Sequence, residues 1–139
     1  MKLALNCFKF FICAIVLSSC ATLDTVATAP SNSGISQDFS GDHELVKAAT
    51  LASIQNLNVN VKQSKQTPEG FVILFTKSIS AFSYGEVARA LVSKVNANTS
   101  TVFVHSEKRY QIQLTGTEED DFANSIFQGI TEILAKKRK

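Results

Sequence analysis

Tryptophan is absent from this chain, and proline occurs only twice. Any core must therefore rest on its ten phenylalanines together with Val, Ile and Leu. A large excess of charge of either sign is missing as well. The formal net charge is +2, and Lys2 and Lys9 fall in residues 1–19, where there is no acid. From residue 20 onward basic and acidic side chains balance, which removes any general electrostatic reason to bind nucleic acid. Cysteine is scarce, with Cys7, Cys13 and Cys20 only. An apolar run of the roughly 18–20 residues needed for a membrane-crossing helix is also lacking. The motifs of common enzymes are missing too: no Gly-x-Ser-x-Gly, phosphate-binding loop or dinucleotide fingerprint is found. His43 and His105, the only histidines, stand in no metal-ligand spacing. Nothing here calls for a cofactor, a metal or a catalytic site.

What is present begins at the amino end. Lys2 and Lys9 precede the apolar run Phe10-Phe11-Ile12-Cys13-Ala14-Ile15-Val16-Leu17, which leads into Ser18-Ser19-Cys20. A basic end, a short apolar stretch and small residues form the three-part pattern of a secretory signal. Asn6 and Lys9 interrupt any longer apolar reading. Leu17-Ser18-Ser19-Cys20 then resembles the lipobox of bacterial lipoprotein precursors: an aliphatic residue, two small residues, then cysteine. The resemblance covers the first twenty residues. It implies diacylglyceryl transfer to the Cys20 thiol and cleavage between Ser19 and Cys20. Cys7 and Cys13 would leave with the signal, so Cys20 becomes the sole mature cysteine and no disulfide forms. Ala21 stands where an Asp would favour inner-membrane retention. The resemblance therefore implies the periplasmic face of the bacterial outer membrane.

The 139 residues suit one domain with appendages. Residues 1–19 are expected as the signal peptide. Residues 20–41 are expected as the lipidated terminus and a flexible linker, rich in Thr, Ser, Ala, Asn and Gly. Such a linker has an r.m.s. reach of roughly 25 Å. Residues 42–139 are expected as the globular domain.

Within that domain Asp42 is a fitting N-cap for a helix to about Asn56, with an apolar face through Leu45, Ala48, Ala49, Leu51, Ala52, Ile54 and Leu57. Leu57, Val59 and Val61 alternate with polar residues, as in a half-buried strand. Thr67-Pro68-Glu69-Gly70 is a turn, and Phe71–Phe75 reads as a central strand. Residues 86–95 fit either helix or strand. The loop Asn96-Ala97-Asn98-Thr99 before Thr101–Val104 favours strand and a hairpin. A polar turn around Ser106–Arg109 should lead to a further strand, Tyr110–Leu114. A last helix follows Thr117, with acids in its first turn and Lys136, Lys137, Arg138 and Lys139 at its end, both favoured by the helix dipole. The expected fold is α+β in two layers: helix, four or five antiparallel strands, helix, with the helices on one sheet face.

The acidic run Glu118–Asp121 fits dipole capping better than a cation site, because consecutive helical residues point apart. Lys136, Lys137, Arg138 and Lys139 are candidate surface contacts for anionic headgroups, peptidoglycan or an acidic protein. Phe82, Tyr84, Arg89, Arg109 and Tyr110 could group on one face, as cross-strand structural pairs rather than as an interface. The domain is weakly similar in pattern to small proteobacterial envelope lipoproteins of unknown function. The function expected is a non-enzymatic, lipid-anchored envelope protein, accessory or structural, held to the membrane through Cys20 and binding an envelope protein or peptidoglycan. The alternative is a carrier of a small apolar ligand or lipid, which requires an apolar cavity of several hundred Å³.

Overall fold

The computed structural model describes residues 20–78, 85–109 and 119–137. The elements run α1 (Leu23–Thr28), β1 (Ile35–Ser40), α2 (His43–Gln55), β2 (Val59–Thr67), β3 (Gly70–Lys77), β4 (Glu86–Asn96), β5 (Thr99–Lys108) and α3 (Glu119–Lys137). The five strands form one antiparallel sheet in the order β1-β5-β4-β3-β2. The fold is α+β, and residues 86–95 are strand.

Asp42 caps α2 by accepting the Leu45 N–H at 2.9 Å, which satisfies one of the donors that a helix start leaves open. The buried stripe is Val46, Ala49, Thr50, Ser53 and Ile54, at helical spacing, whereas Ala48 faces solvent. Two polar residues lie in that stripe because each is satisfied locally. Thr50 donates to the Val46 carbonyl and Ser53 to the Ile126 carbonyl of α3. A Cβ on Gly129 would collide with the Ser53 hydroxyl, so glycine is what lets the two helices approach this closely.

β3 and β4 are apolar on both sides, and both sides are covered. Ile73, Phe75, Ala88, Ala90, Val92, Val102 and Val104 face α2 and α3. Val72, Leu74, Val87 and Leu91 face the other way, onto Val26 of α1. The two helices expected from the sequence, α2 and α3, share one face as expected, and α1, which the sequence did not signal, covers the opposite one. Strands so rich in Val, Leu and Phe would otherwise leave a wide apolar surface in water.

The expected flexible linker is corrected too. Its residues include α1 and the edge strand β1, paired with β5 from Ile35↔Val104 to Ser40↔Thr99. Periodicity missed both elements for a physical reason. β1 buries one side chain, Phe39, against α3, and α1 is six residues long with Val26 as its one buried residue. Helices this short do not hold in isolation, so α1 depends on its docking. Thr22 and Thr25 close a reciprocal capping box at its start.

β5 runs on to Lys108, through the residues expected to turn. Tyr110–Leu114 and Thr117 lie outside the described residues. The fifth strand that is described is thus β1. β2 starts as expected with Val59 and Val61 on the core side, then bulges at Lys62, between the pairs Val61↔Phe75 and Gln63↔Leu74. The bulge turns Gln63 to the opposite face and ends the alternation.

Candidate functional site

The residues singled out from the sequence fall at opposite ends of the sheet. One end holds the starts of β4 and β2, the finish of β3 and β5, and the start of α3. Cys20 is exposed there. Leu17, Ser18 and Ser19 lie outside the described residues. The Ala21 N–H donates to the Arg109 carbonyl at 3.1 Å, and the Arg109 N–H to the Gly85 carbonyl at 3.3 Å. One residue beyond Cys20, the chain is already bonded to the sheet end.

Further contacts hold the following residues. The Thr25 hydroxyl donates to Glu107 Oε2 at 3.2 Å, while Glu107 Oε1 lies 3.2 Å from His105 Nε2. Val26 is fully buried in the apolar patch under α1. At the far end of α1, Arg89 Nη1 donates to the Ala29 carbonyl at 2.6 Å and Nη2 to the Pro30 carbonyl at 2.7 Å. Arg89 is only 3% exposed. Burial pushes its guanidinium below the ordinary arginine value, and the Glu69 carboxylate partly offsets this.

Two carbonyls facing one planar fork suit arginine and not lysine. Arg89 is the residue whose role escaped the sequence reading. Its signal was nonetheless present: a lone charge between Ala88 and Ala90, in a strand apolar on both faces, requires buried partners. Sequence alone could not say that those partners are backbone carbonyls about sixty residues earlier. Of the grouping proposed around Arg89, Phe82, Tyr84 and Tyr110 lie outside the described residues.

Lys136 and Lys137 are exposed in the last turn of α3, at the opposite end of the sheet. Arg138 and Lys139 lie outside the described residues. The first turn of α3 sets Phe122 beside Phe75 and Lys77, and its last turns reach Phe39 and Ser40 of β1. Ser40 pairs with Thr99 at the β4–β5 turn. β5, ten residues long, sets the two ends about 30 Å apart at roughly 3.3 Å per residue.

The histidines do not meet. His43 Nδ1 lies 3.3 Å from the Ser100 hydroxyl, near the β4–β5 turn, and His105 lies under α1 beside Glu107. Ser100 is wholly buried. A nucleophile must reach its substrate, so the His43–Ser100 contact reads as a joint between α2 and β5. Asp120 and Asp121 are exposed on α3. Among the described residues no group of three or more His, Cys, Asp or Glu could hold a metal.

An open recess of about 260 Å³ lies between β1 and α3, lined by Gln37, Asp38, Phe39, Thr131 and Leu134. It is shallow and partly polar, unlike the enclosed apolar cavity that a carrier of lipid needs. In the core, the Phe39 and Phe127 rings meet tilted with centroids 5.9 Å apart, and toward the other end of α3 those of Phe75 and Phe122 meet tilted at 5.6 Å.

No described helix is long and apolar enough to cross a membrane. Comparison with known proteins gives no match, neither to a family model nor to a curated protein.

Proposed function

We propose that the mature chain is a lipid-anchored envelope protein, attached through a diacylglyceryl thioether on Cys20 and acting by binding rather than by catalysis. The reading places it on the periplasmic face of the outer membrane, with an envelope protein or peptidoglycan as its partner. The observation that supports it best is the position of Cys20: exposed, directly after a lipobox-like Leu17-Ser18-Ser19, and directly before the first residue bonded into the sheet. Two or three acyl chains on one cysteine make attachment effectively permanent, since each buried methylene contributes roughly 0.8 kcal/mol.

The test is Cys20→Ser, followed by radiolabelled palmitate incorporation and membrane fractionation. Loss of label, release from the membrane and accumulation of unprocessed precursor are expected. Unchanged membrane association without precursor would sink the anchor. For the binding role, crosslinking in intact cells should yield a reproducible partner, and none across replicates would count against it.

A further inference from the structure

If Cys20 carries the lipid, its attachment to the fold decides how the domain stands on the bilayer. A 21-residue flexible linker would let the domain tumble within roughly 25 Å of the surface. The structure has no such slack. Ala21 is hydrogen-bonded to Arg109, Thr25 to Glu107, Val26 is buried, and Ala29 and Pro30 are held by Arg89. The anchor and the sheet end are separated by a single peptide unit.

We propose that α1 and Arg89 form a rigid mount, which fixes the sheet end at Gly85 and Arg109 against the lipid headgroups and points the opposite end away from the bilayer. This deepens the lipid-anchor reading and rests on it. The mount has three parts with separate physical roles. The Ala21–Arg109 bond sets the point of attachment. Val26 and its apolar neighbours Val72, Leu74, Val87 and Leu91 hold α1 flat on the sheet. The Arg89 fork resists peeling of the chain at the far end of the helix, because release would give up two charge-assisted hydrogen bonds to the Ala29 and Pro30 carbonyls.

The consequence is a defined outward face about 30 Å from the headgroups by the length of β5. That face carries the β2–β3 and β4–β5 turns, the 58% exposed Val95 and the α3 residues Lys136 and Lys137. These lysines are then beyond the reach of headgroup charge, which fades within a Debye length of about 8 Å.

The test uses the full lipid-modified protein in vesicles of phosphatidylethanolamine and phosphatidylglycerol that carry a headgroup nitroxide. Single thiols at Ser78→Cys, beside the anchored end, and Ala97→Cys, in the β4–β5 turn, each carry a fluorophore; with Cys20 lipidated, no other mature thiol competes. Strong loss of emission is expected at position 78 and none at 97. A flexible Gly/Ser insertion of about 20 residues after Cys20 restores a reach near 25 Å and should abolish the difference without touching the fold. Equal quenching at both positions in the uninserted protein, with attachment intact, overturns the mount. Failure of the anchor itself shows differently, as Cys20→Ser protein that stays with the membrane.

Discussion

Arg89 shows how much one side chain can decide. Its two short bonds to Ala29 and Pro30 carbonyls are charge-assisted, and bonds of that kind contribute about 1.5–3 kcal/mol each. Part of that is offset by the cost of burying the charge. Arg89→Ala should therefore destabilise by about 2–4 kcal/mol in urea unfolding. Arg89→Lys should recover less than half of the loss, since an ammonium cannot bridge two carbonyls in plane. Full recovery by lysine would mean that charge alone matters. The pH dependence has a definite sign. The folded guanidinium sits below its ordinary value, so the unfolded chain binds that proton more tightly and stability rises as pH climbs through the alkaline range. Arg89 was visible in the sequence as an anomaly, but its partners were not.

At the scale of elements, the α2–α3 contact turns on Gly129 and Ser53. Alanine is a better helix former than glycine by roughly 0.8–1 kcal/mol. Yet its methyl would strike the Ser53 hydroxyl, which is held in place by the Ile126 carbonyl at 2.8 Å. Gly129→Ala is expected to cost about 1–3 kcal/mol net. Adding Ser53→Ala should recover part of it, because the colliding oxygen is gone; simple additivity in this double-mutant cycle would contradict the contact. The α2 helix was readable from Asp42 and the apolar spacing, but Thr50 and Ser53 hid part of its buried stripe. The outer strand β2 shows a second element-level device. Lys62 stands at a bulge and Lys65 on the exposed edge, features that discourage another chain from adding a strand. Replacing both lysines with Val should raise light scattering on concentration, and unchanged scattering would mean that the edge is protected otherwise.

For the whole molecule, the decisive matter is whether residues 21–40 belong to the fold. Their composition suggests a linker, but their contacts put α1 and β1 on the body of the sheet. Native-state digestion with proteinase K should leave this segment intact, whereas Arg89→Ala should open it near Pro30. Rapid cutting of the unaltered protein between Leu23 and Phe39 would contradict the docked arrangement. Amide exchange should be slowest in β3 and β4, which are covered on both faces, and faster in α1, which depends on few contacts.

The sequence by itself determined the elements whose patterns are local. The cap and apolar spacing of α2, the turn at Pro68-Glu69, the hairpin at Asn96–Thr99 and the placing of charges at the ends of α3 all follow from neighbours a few residues apart, whereas residues 86–95 fitted helix and strand alike until their pairing with β3 and β5 decided for strand. The lipobox-like Leu17–Cys20 is local in the same sense. Only the tertiary structure decided where residues 21–40 go. α1 and β1 each bury one large side chain and are too short or too polar to signal themselves. They exist because β3, β4 and β5 offer an apolar face, an unpaired edge and the Arg89 fork, all supplied by residues far along the chain. Cys20 thus passes from the end of an expected linker to the residue next to Ala21, whose N–H is bonded to the Arg109 carbonyl at the sheet end, a change that depends on long-range contacts no local pattern carries.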